Sequence, residues 1–140
     1  MKREIKFRVW DNNTDTMMIP DNFEFLDGEI DWIEAVREAG PQSGIDGDPG
    51  QFDIMQYTGL TDKNGREIYE CDIVKMHQVV LSPDDKIGLV EYTDKYGYSI
   101  RFASRRCRQS DWANDECAKY EVIGNIFEDK QLLEVTDYDN

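Results

Sequence analysis

Histidine is almost absent from this chain: His77 stands alone among 140 residues. Hydrolases of the Ser-His-Asp or Cys-His kind need an imidazole that titrates near neutrality and reaches a nucleophile. His77, between Met76 and Gln78 at a strand end, reads instead as an ordinary surface residue. Cysteine is scarce as well. Cys71, Cys107 and Cys117 form an odd set without a CxxC pair, which fits free thiols in a reducing cytosol. A structural zinc site needs four ligands in close pairs, and the spacing of these three cysteines and His77 does not supply it. No metal or cofactor is expected. Long apolar runs are missing too: nothing approaches the roughly 20 residues of a membrane span. The opening Met1-Lys2-Arg3-Glu4 is not followed by an apolar signal core, so the expected location is the cytoplasm.

Positive charge is the last shortage. Sixteen Lys and Arg stand against 30 Asp and Glu, for a net charge of −14. Such a chain repels phosphate backbones over about a Debye length, roughly 8–10 Å. Nucleic-acid binding therefore needs a local basic patch to overcome the field. The acidic surface suits solubility, and also a sharper role, mimicry of DNA in the basic groove of a partner.

What remains is a third of charged residues and 39% hydrophobic ones, enough for one modest core or one domain with an appendage. Ile5, Phe7 and Val9 alternate with Lys6, Arg8 and Trp10, which is the period of a strand. After the polar loop 11–16, Met17-Met18-Ile19 can return as a second strand, stopped by Pro20. Phe23 to Leu26 and Glu29 to Trp32 flank Asp27-Gly28, the signal of a type I′ hairpin. Residues 33–39 are good helix formers followed by Gly40-Pro41, and predict a short helix. Residues 40–50 are rich in Gly and Pro and read as a linker.

Beyond it the pattern is β throughout: 52–57, 68–76, 87–92, 98–102 and 120–127 predict strands. Asp62-Lys63-Asn64-Gly65 predicts a two-residue hairpin on Asn64 and Gly65, a structural turn. Residues 104–119 are polar, with a helical turn expected around Trp112, and Leu132 to Val135 can form a last turn or an edge strand. The fold class is mainly β, a β-rich α+β chain. Residues 1–50 form an N-terminal hairpin and short-helix segment, and 51–140 a domain of short strands with frequent turns, the pattern of a small barrel.

Three stretches resemble the YopX family of phage and prophage proteins. They are Ile5-Lys6-Phe7-Arg8-Val9-Trp10-Asp11, the block from Tyr57-Thr58-Gly59-Leu60 to Asp72-Ile73-Val74, and Tyr120-Glu121-Val122-Ile123-Gly124-Asn125-Ile126. They occur in the family's order and cover most of the chain. The resemblance implies a C-terminal SH3-like barrel after an N-terminal β-rich segment, and brings no catalytic residue or cofactor. The family has glycine at the position of Cys71. If the backbone there needs φ > 0, cysteine is strained by on the order of 1 kcal/mol.

Sites are sparse. The Gly-rich run 44–50 lacks the Lys-Ser or Lys-Thr of a phosphate loop. Asp46-Gly47-Asp48 begins like a calcium loop, but its twelfth position is Tyr57, not glutamate. Arg101, Arg105, Arg106 and Arg108 are the one basic cluster, with Trp112 close by. They can bind phosphate or stack a base, neutralise neighbouring carboxylates, or meet an acidic patch on a second copy. Tyr96 and Tyr98, at a hairpin tip, are the best placed aromatics for exposed contact.

The composition and the resemblance together favour a non-enzymatic accessory protein working by protein–protein contact in a host cytoplasm, with a protein partner or a homo-oligomer. The rivals are a nucleic-acid-associated protein using the Arg101–Arg108 loop, and an acidic inhibitor that mimics DNA.

Overall fold

The computed structural model describes residues 4–37, 44–76, 87–102, 106–108 and 120–133, with the backbone alone for Cys107 and Arg108. The chain divides into two units, Glu4–Gln56 and the part from Tyr57 onward. The break falls inside a strand, a few residues beyond the 50/51 boundary expected from the Gly-rich stretch.

The N-terminal unit is an antiparallel sheet. It holds β1 (Phe7–Asp11), β2 (Thr16–Leu26), β3 (Glu29–Arg37), β4 (Ile45–Gly47) and the first half of β5 (Phe52–Thr61), in the order β4-β3-β2-β1-β5. One face carries the core: Val9, Met18, Ile33, Ala35 and Phe52 form it, with Phe23, Ile30, Ile45 and Ile54 packed on it, while Trp10 and Met55 are buried on the other face. Each fully buried aliphatic contributes roughly 1.5–3 kcal/mol. Asp11 closes the sheet end. It is fully buried, and accepts hydrogen bonds from the Thr14 hydroxyl, the Gln51 amide (3.0 Å) and the Asn13 N–H (3.1 Å). Burial alone pushes its carboxyl up, but these bonds together outweigh it and hold the pKa below the ordinary 3.8.

Three expectations for this unit are corrected. Residues 33–37 are not helical but the second half of β3. Ile33 and Ala35 point into the core at strand period, and pairing with β2 and β4 overrides the helix propensity of Glu and Ala. Pro20 does not stop β2. The strand continues to Leu26, and a bulge between Pro20 and Asn22 absorbs the missing N–H. Within the stretch read as a linker, Ile45–Gly47 pairs with Ile33–Ala35 as an edge strand. The Asp27-Gly28 turn is as expected: φ is +53° and +85°, and Leu26 pairs with Glu29.

In the C-terminal unit the second half of β5 pairs with β6 (Glu67–Tyr69). A second antiparallel sheet follows, made of β7 (Asp72–Met76), β8 (Ile87–Thr93), β9 (Gly97–Arg101), β10 (Arg106–Arg108) and β11 (Tyr120–Asn125) in the order β10-β9-β8-β7-β11. It is a four-strand meander with β11 returned beside β7. The expected barrel is not closed among the described residues. Ile68, Val74, Val90, Ile100, Phe102, Tyr120 and Val122 form the core. Arg106–Arg108 is a strand paired with β9, where irregular structure was expected. A single helical turn spans 131–133. Among the described residues no helix is long and apolar enough to cross a membrane.

The Asn64-Gly65 turn differs from the two-residue hairpin. Gly65 has φ +83°, but Asn64 is not left-handed. Gly65 N–H donates to Asp62 O (3.0 Å) and Asp62 N–H to Arg66 O (2.8 Å), so the loop is Lys63-Asn64-Gly65, a type I turn followed by a left-handed glycine. Asp62 selects it. Its buried carboxylate accepts from Asn64 N–H (2.8 Å) and Arg66 N–H (2.9 Å) on one oxygen, and from Val122 N–H of β11 (2.9 Å) on the other.

The turn between β6 and β7 settles the Cys71 question. Cys71 has φ +71°, the region that favours glycine. Its N–H donates to Val90 O (2.8 Å) and its carbonyl accepts from Ile126 N–H (2.9 Å), while Asp72 accepts from Tyr69 N–H (2.8 Å). These bonds hold the cysteine in a conformation its side chain disfavours.

Candidate functional site

The basic cluster is built on β8, β9 and β10. Register places Arg106 opposite Arg101, and Arg101 opposite Leu89; one step along, Arg108 stands opposite Ser99, and Ser99 opposite Glu91. Two arginines side by side on adjacent strands repel. Glu91 resolves this: one of its oxygens accepts from Arg101 Nε (3.1 Å) and Arg106 Nη1 (2.8 Å). Arg106 Nη1 also lies 2.8 Å from the hydroxyl of fully buried Ser99, and its guanidinium sits 5.1 Å from the centre of the Tyr96 ring. Lys95 Nζ is 5.2 Å from the same ring. Such partly exposed ion pairs are worth about 0–1 kcal/mol each. Arg101 and Arg106 thus neutralise a carboxylate of their own sheet, one of the three roles the sequence left open.

Tyr98 pairs with Tyr92 in an edge-to-face contact at 5.2 Å and packs on the C-terminal core. Arg105 and Trp112 lie outside the described residues, as does His77; of Arg108 only its register position is known.

A second surface went unnoticed in the sequence. Among the described residues, β1 pairs with Thr16–Met18 of β2 and no further along it, and β4 with Ile33–Ala35 of β3. The stretch between, from about Ile19 to Trp32, is a two-stranded ribbon tipped by Asp27-Gly28. Phe25 is 63% exposed, Leu26 61% and Trp32 37%. Register puts Phe23, Phe25 and Ile30 on the face that continues the core, and Leu26 and Trp32 on the other. Exposed Asp21, Glu24, Asp27, Glu29 and Asp31 are interleaved with them, and no Lys or Arg occurs between Ile19 and Val36. The ribbon was legible as a hairpin. Its exposure was not, since apolar residues in a strand read as core.

Isolated two-stranded ribbons are marginal in water, and exposed apolar side chains on one mark a contact surface. Chemically the arm offers aromatic anchors, unpaired strand edges and negative charge. Among the described residues no three of His, Cys, Asp and Glu converge to hold a metal ion.

The family model of the YopX protein matches residues 6–134. The structure is similar to the crystal structure of protein EF1440 from Enterococcus faecalis, with a TM-score of 0.66 and 27% sequence identity over 94% of this chain and 99% of that one. No curated protein matches.

Proposed function

This chain belongs to the YopX protein family, and on that premise we propose that it is a non-enzymatic phage or prophage accessory protein. It acts through protein–protein contact in the host cytoplasm, without a cofactor. The observation that carries this reading is the β2–β3 arm, where Phe25, Leu26 and Trp32 stand exposed beyond the paired sheet. Aromatic and aliphatic anchors of this kind dominate binding energy at protein interfaces. The order of the C-terminal sheet supports reading that unit as an SH3-like barrel, a scaffold rather than a reaction centre.

The test is crosslinked capture from host cells by the parent chain and by a Phe25→Ser/Leu26→Ser/Trp32→Ser variant. Specific captured proteins should be lost with the variant. Capture that is unchanged would remove the arm from the function. The rival reading, nucleic-acid binding through Arg101 and its neighbours, predicts retention of DNA or RNA at low salt and a steep loss as salt rises.

A further inference from the structure

Resting on the contact reading, we propose that the β2–β3 arm inserts into a cationic cleft of another protein: an apolar floor rimmed by Lys and Arg, not a second copy of this chain. Three observations converge on that occupant. Exposed apolar side chains stand on both faces of the ribbon, Phe25 on one and Leu26 and Trp32 on the other. A flat surface covers one face only; a cleft covers both.

The five exposed carboxylates from Asp21 to Asp31 have no cation within the arm. Desolvating them against an apolar wall is costly unless opposite charges receive them. A second copy is a poor source of those charges. Its net charge is −14, and the guanidinium groups of its Arg101 and Arg106 are already shared on Glu91. Finally, the type I′ turn at Asp27-Gly28 matches the twist of its strands, which lowers the cost of ordering the arm on binding. In this arrangement the aromatic anchors hold the complex together, and the carboxylates set the encounter rate and the salt dependence.

Synthetic two-helix hairpin peptides, whose paired helices leave a groove that can take both faces of the ribbon, test this directly. One carries a leucine face flanked by lysines, the second the same face flanked by glutamates, the third serines with lysines. Calorimetry measures affinity, and amide shifts map the site. The Leu/Lys peptide should bind at residues 19–32, and weaken by about tenfold or more between low salt and roughly 0.3 M. The Phe25→Ser/Leu26→Ser/Trp32→Ser variant should lose about tenfold or more. A Glu24→Lys/Glu29→Lys/Asp31→Lys variant, whose changes are all at exposed positions, should switch its preference to the Leu/Glu peptide.

Equal binding of the Ser/Lys and Leu/Lys peptides overturns the cleft, because charge alone then suffices. No binding, or shifts mapped away from the arm, overturns it too. Concentration-dependent association in sedimentation that the serine variant abolishes would make a second copy the occupant, and would leave the contact reading standing.

Discussion

Two turns of this molecule look alike in sequence and differ in what surrounds them. Asp27-Gly28 and Asn64-Gly65 each place a left-handed glycine between strands. The second is tied down: Asp62 gives its carboxylate to three backbone N–H groups, one of them on β11. Among the described residues the first is tied to nothing beyond its own ribbon, and it is surrounded by exposed Phe25, Leu26 and Trp32. A left-handed glycine serves a clamp in one unit and a presented tip in the other. What separates them is the fate of the carboxylates, internal acceptors around Asn64-Gly65 and unpaired surface charges around Asp27-Gly28.

Breaking the clamp should give the largest effect on stability. Asp62→Ala strands three donors, two in the turn and Val122 N–H in the core strand, and should cost on the order of 3 kcal/mol or more in urea unfolding. Next, Gly65→Val forces a β-branched residue to φ +83° and should cost about 2 kcal/mol, whereas Asn64→Val, at a residue not in the left-handed region, should cost well under about 1 kcal/mol. Equal losses for the two would restore the two-residue hairpin.

A smaller change has the opposite sign. Cys71→Gly relieves a non-glycine residue at φ +71° and should raise stability by roughly 0.5–1 kcal/mol, part of the gain being offset by the freer unfolded chain. A loss would mean that the cysteine side chain stabilises the turn by more than its strain costs.

The N-terminal unit adds a pH-dependent effect. The folded carboxyl of Asp11 lies below its ordinary value of 3.8. Its stabilisation is therefore fully present above that value and is lost as pH falls through the folded one. Asp11→Asn should be less stable than the parent at neutral pH, and the gap should narrow below about pH 4. A gap that is constant from neutrality to strong acid contradicts this. The smallest effect on stability belongs to Phe25→Ser/Leu26→Ser/Trp32→Ser, within about 0.5 kcal/mol of the parent, because two of the three side chains are mostly in water already.

The contrast between the turns also marks what the sequence made legible. Local chemistry was readable: Asp27-Gly28 named its own turn type, and Ile87 to Arg101 named a hairpin, because turn residues and strand period act over a few positions. The resemblance located Cys71 at a glycine position, and the backbone there is left-handed. Nonlocal pairing was hidden. Glu34 and Ala35 favour a helix until β2 and β4 flank them. Arg106 keeps three roles open, one of them neutralising a carboxylate, until β10 is laid beside β9 and Glu91 comes within reach. The exposure of Phe25 depends on how far β1 and β4 extend, which nothing near Phe25 encodes.

Photocrosslinking from the two tips in host cells tests whether the β2–β3 arm is the contact surface. A photoreactive residue at Leu26 and the same residue at Asn64 share one protein and one expression level, and each stands beside a left-handed glycine. Discrete adducts to another protein are expected from Leu26, and background from Asn64. Adducts of equal yield from both positions, or from Asn64 alone, would contradict that role of the arm.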